Sequence, residues 1–87
     1  MAGQTDALSD KALSIIAFAA YHSLLSGERV ASVVRKDGHG HEADPDGVAE
    51  LPDKGLATSD DAQVSFTAEG EALVDAVLSG IRSARTR

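Results

Sequence analysis

The chain has 87 residues, a net charge of −6 and no cysteine. That length holds one small domain, which on folding removes only about 60–65% of the surface exposed by the unfolded chain. Disulfides and thiolate metal sites are excluded, and the longest apolar run, Ile15 to Tyr21, falls far short of the roughly 18 residues that cross a bilayer.

The N-terminus has no basic segment of the signal-peptide kind, so the expected location is the cytoplasm, with no membrane partner. The aromatic residues are Phe18, Tyr21 and Phe66. The core must therefore be built mainly from Ala, Val and Leu, and a homodimer would help a core that light.

In chain order, residues 1–8 read as a flexible N-terminus, 9–82 as a single domain and 83–87 as a basic C-terminal tail. The first helix is expected to start at Ser9 or Asp10, both good caps. Ser26-Gly27 stops it. Leu13, Ile16, Ala17, Ala20, Tyr21, Leu24 and Leu25 fall at helical spacing on one face, and Ile15 and Phe18 widen it. Val30, Val33 and Val34 fit a short second helix over Glu28 to Lys36, although three valines in five positions also fit a strand. Asp37 to Ala43 is a glycine-rich loop. Asp44-Pro45 pairs a cap with proline at the first helical position, which opens a third helix to about Lys54. Pro52 is expected to distort or shorten it.

Gly55 is placed to end that helix. Leu56-Ala57-Thr58 and Gln63-Val64-Ser65-Phe66 then pair across Ser59 to Ala62, with Val64 and Phe66 on one face. Thr67 caps a last helix. Leu73, Val74, Val77, Leu78 and Ile81 form its apolar stripe, and Arg82 and Arg85 suit its C-terminal dipole.

The order Lys54-Gly55-Leu56, hairpin, Phe66-Thr67-Ala68-Glu69-Gly70 resembles the wing and C-terminal helix of winged-helix transcriptional regulators of the MarR/PadR type. The likeness covers about residues 44–80. It implies an α+β fold with three helices, a β-hairpin wing and a C-terminal helix. It also implies DNA contact through the third helix and the wing tip, and dimer contacts through terminal helices, here Val74, Val77, Leu78 and Ile81.

The charges conflict with DNA contact. Residues 37–61 hold eight acids against Lys54, a net of −7. Asp44, Asp46, Glu50 and Asp53 lie on the would-be recognition helix, and Asp60-Asp61 form the would-be wing tip. Acids there repel phosphates rather than neutralise them. Arg29, Arg35 and Lys36 are the candidate DNA-binding residues, a small footprint more simply read as solvated surface.

His39, His41 and Glu42 have ligand chemistry for a divalent metal. A floppy glycine-rich loop does not hold such ligands rigidly, and a solvated loop is the simpler reading. No nucleophile elbow or phosphate-cradling loop is present. His22, beside Tyr21, reads as a helix-surface or interface residue. The expected protein is a non-enzymatic regulatory or protein-interaction module without a cofactor, acting on a protein partner that the sequence does not identify. The rivals are a dimeric DNA-binding repressor and a small metal-binding domain.

Overall fold

A computed structural model describes residues 8–36, 38 and 42–85. The fold is α+β. Among the described residues, three helices, α1 (Asp10–Ser26), α2 (Pro45–Asp53) and α3 (Ala68–Ala84), pack with three strands, β1 (Ser32–Val34), β2 (Ala57–Ser59) and β3 (Gln63–Phe66). The sheet is antiparallel, with β3 in the middle and β1 and β2 at its edges.

The caps form as the residue types dictate. The Ser9 hydroxyl accepts from the Ala12 amide, and Gly27 closes α1 in the left-handed conformation at φ 85°. Asp44 caps α2, Pro45 opens it, and Pro52 sits within its last turn, where the helix still reaches Asp53. Thr67 caps α3 through the Gly70 amide. Its hydroxyl also donates to the Gly55 carbonyl at 2.8 Å, which ties the start of α3 to the start of the hairpin.

Glu28 to Lys36 is not a helix. Val33 pairs with Val64, and Ser32 and Val34 flank it in register. The Ser23 hydroxyl accepts the Val30 amide at 3.0 Å, drawing the chain back from α1 into an extended path. Pairing with β3 buries Val33, and this tertiary gain outweighs the weak helical spacing of the three valines. Among the described residues, three helices therefore stand where four were expected, and the hairpin is part of a three-stranded sheet.

The buried face of α1 is also turned from the expected one. Ala12, Ile15, Ile16, Ala19, Ala20 and Ser23 face inward. Leu13 and Leu24 are 40% exposed, Tyr21 56% and Leu25 70%. The inward face mixes Ile15 and Ile16 with small residues, and neighbouring elements come close elsewhere in the core. A Cβ on Gly47 of α2 would lie 2.7 Å from the Lys11 carbonyl oxygen, and one on Gly70 of α3 would collide with the Leu56 carbonyl oxygen. Glycine is needed at both contacts.

Val64 and Phe66 share the buried side of β3, as their alternation predicts. They join Ile15, Ile16, Leu51, Val74 and Leu78 in one core. Helix α3 continues through Ala84, so Ser83 and Ala84 belong to a helix rather than to a tail. No described helix is long and apolar enough to cross a membrane.

Candidate functional site

The acidic region is built on α2 and the hairpin turn. Helix α2 buries Gly47, Val48 and Leu51, and this leaves Asp46 and Asp53 exposed. Several of its acids are engaged in holding the fold. The Asp44 carboxylate accepts from the Asp46 amide at 2.8 Å. Lys11 donates to Asp46 at 3.0 Å and stands 4.0 Å from Asp44. The hydrogen bond from Lys11 to Asp46, with the charge of Asp44, raises the Lys11 pKa.

Glu50 clamps the start of α1. Its Oε1 accepts from the Ser9 hydroxyl at 2.6 Å, and its Oε2 from the Ser9 amide at 3.0 Å. These bonds lower the Glu50 pKa. Asp60 does similar work at the hairpin turn. Its carboxylate accepts from the amides of Ala62 and Gln63, and those two bonds lower its pKa. Asp61 beside it is exposed. The would-be recognition helix and wing tip thus present carboxylates, and two of them, Glu50 and Asp60, are stabilised in the charged form.

The basic candidates do not form one patch. Arg29 pairs with Glu71 at 3.3 Å and also with Asp75, both on α3. Arg35 donates to the Asp60 carbonyl at 2.8 Å, at the hairpin turn. The two arginines lie near opposite ends of β1, and six residues of extended chain reach up to about 20 Å. Lys36 is exposed. Arg29 is neutralised locally, and Arg35 braces a turn that carries two aspartates.

Val74 and Leu78 are 0% and 3% exposed. They belong to the core and cannot face a partner. Val77 is half-buried and Ile81 is 44% exposed, so these two remain of the four interface candidates. His39 and His41 lie outside the described residues, and Glu42, at the loop's end, is exposed. Among the described residues, no group of three or more His, Cys, Asp or Glu could hold a metal ion. His22 packs edge-on against Phe18, with ring centroids 4.4 Å apart, and against Tyr21 at 5.1 Å.

Sequence reasoning missed an apolar groove of about 550 Å³ lined by Leu8, Leu13, Leu56 and Leu73, with Lys54 at its side. The lining comes from three distant segments, so no local periodicity reveals it. Leu13 is legible as apolar, but its spacing predicts the core-facing stripe of α1 rather than a groove wall. Comparison with known protein families, curated proteins and solved structures finds no match to this chain.

Proposed function

We propose that this domain is a non-enzymatic regulatory or protein-interaction module of winged-helix-like form. The element order α1, β1, α2, β2, β3, α3 and the sheet order β1-β3-β2 are compatible with that arrangement. The helix before the hairpin takes the recognition position, and the turn at Asp60-Asp61 takes the wing tip.

One observation carries the interaction reading over the DNA reading. The exposed side of α2 and the hairpin turn both present carboxylates, while Arg29 is paired with Glu71 and Asp75 on α3 and Arg35 is bound to the Asp60 carbonyl within that turn. Phosphate binding needs free cations on the approaching surface. Among the described residues, no helix lies between β1 and α2, so a helix-turn-helix pair of adjacent helices is not built there. A basic protein surface complements such a face better than a duplex does.

The test is fluorescence anisotropy with duplex DNA of mixed sequence. No saturable binding is expected in the micromolar range near physiological salt. Tight binding with a steep salt slope, abolished by neutralising Arg29, Arg35 and Lys36 together, would establish the dimeric repressor instead.

A further inference from the structure

We propose that the free edge of β1 takes an extended peptide of a partner protein by strand addition. An apolar side chain of the peptide sits between β1 and α1, and acidic side chains lie beside Arg35 and Lys36. The site is separate from the acidic surface of α2. It deepens the protein-interaction reading, on which the class of partner rests.

Hydrogen bonds fix which way each residue of β1 turns. The Phe66 amide donates to the Ala31 carbonyl, and the Arg35 amide donates to the Ala62 carbonyl. Val33 stands opposite Val64 between them. The alternation of an antiparallel ladder then turns the main-chain groups of Val33 towards β3 and those of Ser32 and Val34 away from it. The middle strand alternates to match, since Ser65, opposite Ser32, also stands opposite Thr58 of β2. Among the described residues, none bonds the N–H or C=O of Ser32 or Val34. Such a row of unpaired groups is a template for another strand.

A groove of about 280 Å³ runs beside this edge. Phe18, His22 and Ser26 line it from α1, four residues apart and so on one stripe. Val30 and the β1 strand line it from the other side. Residues directly opposite one another in an antiparallel pair share a face. Val33 is buried on the core side, so the peptide residue opposite it turns to that side, towards Phe18 and His22. A branched aliphatic side chain suits that seat. The peptide residues before and after it pair with Val34 and Ser32 through the main chain. Their side chains lie on the outer face with Val34, which is 45% exposed, where small β-branched residues suit a half-buried strand.

Only an extended main chain repeats donors and acceptors at the spacing of β1, so this edge selects a peptide over a duplex or a small ligand. Charge selects the sign of that peptide. Glu28 stands against Arg29, Arg35 and Lys36 in residues 27–36, a net of +2. Arg29 is paired with Glu71 and Asp75. Arg35 binds a carbonyl rather than a carboxylate. Lys36 is exposed, and it is bridged to Glu42 through the main chain without an ion pair to a described residue. Arg35 and Lys36 stand at the C-terminal end of β1. An antiparallel peptide passes that end with the residues that precede its pairing segment, and acids there complement the two cations.

The test is a titration of the full chain followed by its amide resonances. The probe is the blocked peptide acetyl-Glu-Glu-Thr-Ile-Thr-Ser-amide, whose isoleucine falls opposite Val33 and whose threonines fall opposite Val34 and Ser32. Saturable shifts are expected at Ser32, Val34 and His22, with a Kd on the order of 100 µM. The Ser32 and Val34 amides should exchange more slowly in the complex. N-methylation of both threonines removes the amides that donate to β1 and should weaken binding about tenfold or more. N-methylation of the isoleucine, whose amide turns away from β1, should leave binding nearly unchanged. Lysines in place of the two glutamates should weaken it about tenfold. Val34→Pro removes an N–H that no ladder bond uses and that an edge strand can lose, so it should lose the peptide with its circular dichroism unchanged. No shift with the parent at millimolar peptide, equal losses from both N-methylation patterns, or a lysine peptide that binds as well would each overturn the proposal. Shifts at Ser32 and Val34 that follow protein concentration without peptide would do so too, by placing a second copy on the edge. Tight DNA binding would sink the interaction reading and leave this titration as it is, whereas a failed titration without DNA binding removes the edge alone.

Discussion

The two halves of α3 share one helix and one stripe but have different surroundings. From Ala68 to Leu78 the helix buries Gly70, Val74 and Leu78 against α1 and the sheet. From Ser79 onward it buries nothing. The helical period is the same in both halves, so periodicity reports which residues share a face and not whether anything covers that face. Coverage depends on where the rest of the chain runs. Here Thr67 ties the first half to Gly55 at the start of the hairpin and Gly70 packs against the Leu56 carbonyl, while the second half is exposed.

The largest expected effect falls on the covered half's support. Phe66 ends β3 directly before Thr67 and is 8% exposed. Phe66→Ala should destabilise the domain by about 3 kcal/mol or more, from lost burial and the cavity left behind. A thermal or urea melt indistinguishable from the parent would show that the first half of α3 does not depend on the strand beneath it.

Gly70 comes next. A Cβ there collides with the backbone carbonyl of Leu56, and a backbone neighbour cannot rotate aside as a side chain can. Gly70→Ala should cost about 1–3 kcal/mol as overpacking, against the small gain that alanine normally brings to a helix interior. Gly80→Ala in the uncovered half should show that ordinary gain, since nothing stands near the added methyl. Opposite signs for the same substitution at two positions of one helix are the sharpest form of the comparison; equal signs would break it.

Much of this fold was legible in the sequence because it rests on local chemistry. Ser9, Gly27, Asp44-Pro45, Gly55 and Thr67 act through hydrogen bonds and dihedral preferences within a few residues, and each marks the boundary expected of it. The failures are all tertiary. Val33 was ambiguous until Val64 was beside it. The inward face of α1 packs close to Gly47 of α2, a contact with no local signal in the sequence, and Leu13 and Leu24 lie 40% exposed although their spacing predicts the core. The acidity of α2 was plain, but the Glu50 clamp on Ser9 joins residues 41 apart. The groove of Leu8, Leu13, Leu56 and Leu73 was invisible for the same reason.

That clamp gives the covered side of the molecule a pH dependence. Glu50 is held below its ordinary pKa of 4.5, chiefly by the Ser9 hydroxyl and then by the Ser9 amide. A lowered carboxyl stabilises the fold above its unfolded pKa, and that contribution is lost as pH falls through the folded value. The parent should therefore lose stability on acidification below about pH 4.5. Glu50→Gln should be less stable at neutral pH and should show a shallower acid limb in a urea titration at graded pH. An unchanged acid limb would remove Glu50 from the account, leaving Asp60 and the other carboxyls to explain it.

The smallest effect is expected at Ile81, and its size should depend on concentration. In dilute protein the residue is 44% exposed, and no residue from Ser79 to Arg85 is buried. Ile81→Ala should then shift the unfolding free energy by no more than about 0.5 kcal/mol, the range of ordinary surface changes. Amides from Gly80 to Ala84 should exchange quickly there, while those from Val74 to Leu78 are protected close to the global limit. Raising the concentration should protect the second half in the parent and raise its melting temperature, because a partner that binds the folded state stabilises it by mass action. In Ile81→Ala both responses should weaken. Concentration-independent melts with equally fast exchange in the second half would mean that the stripe ends in solvent, and that α3 is uncovered because nothing covers it.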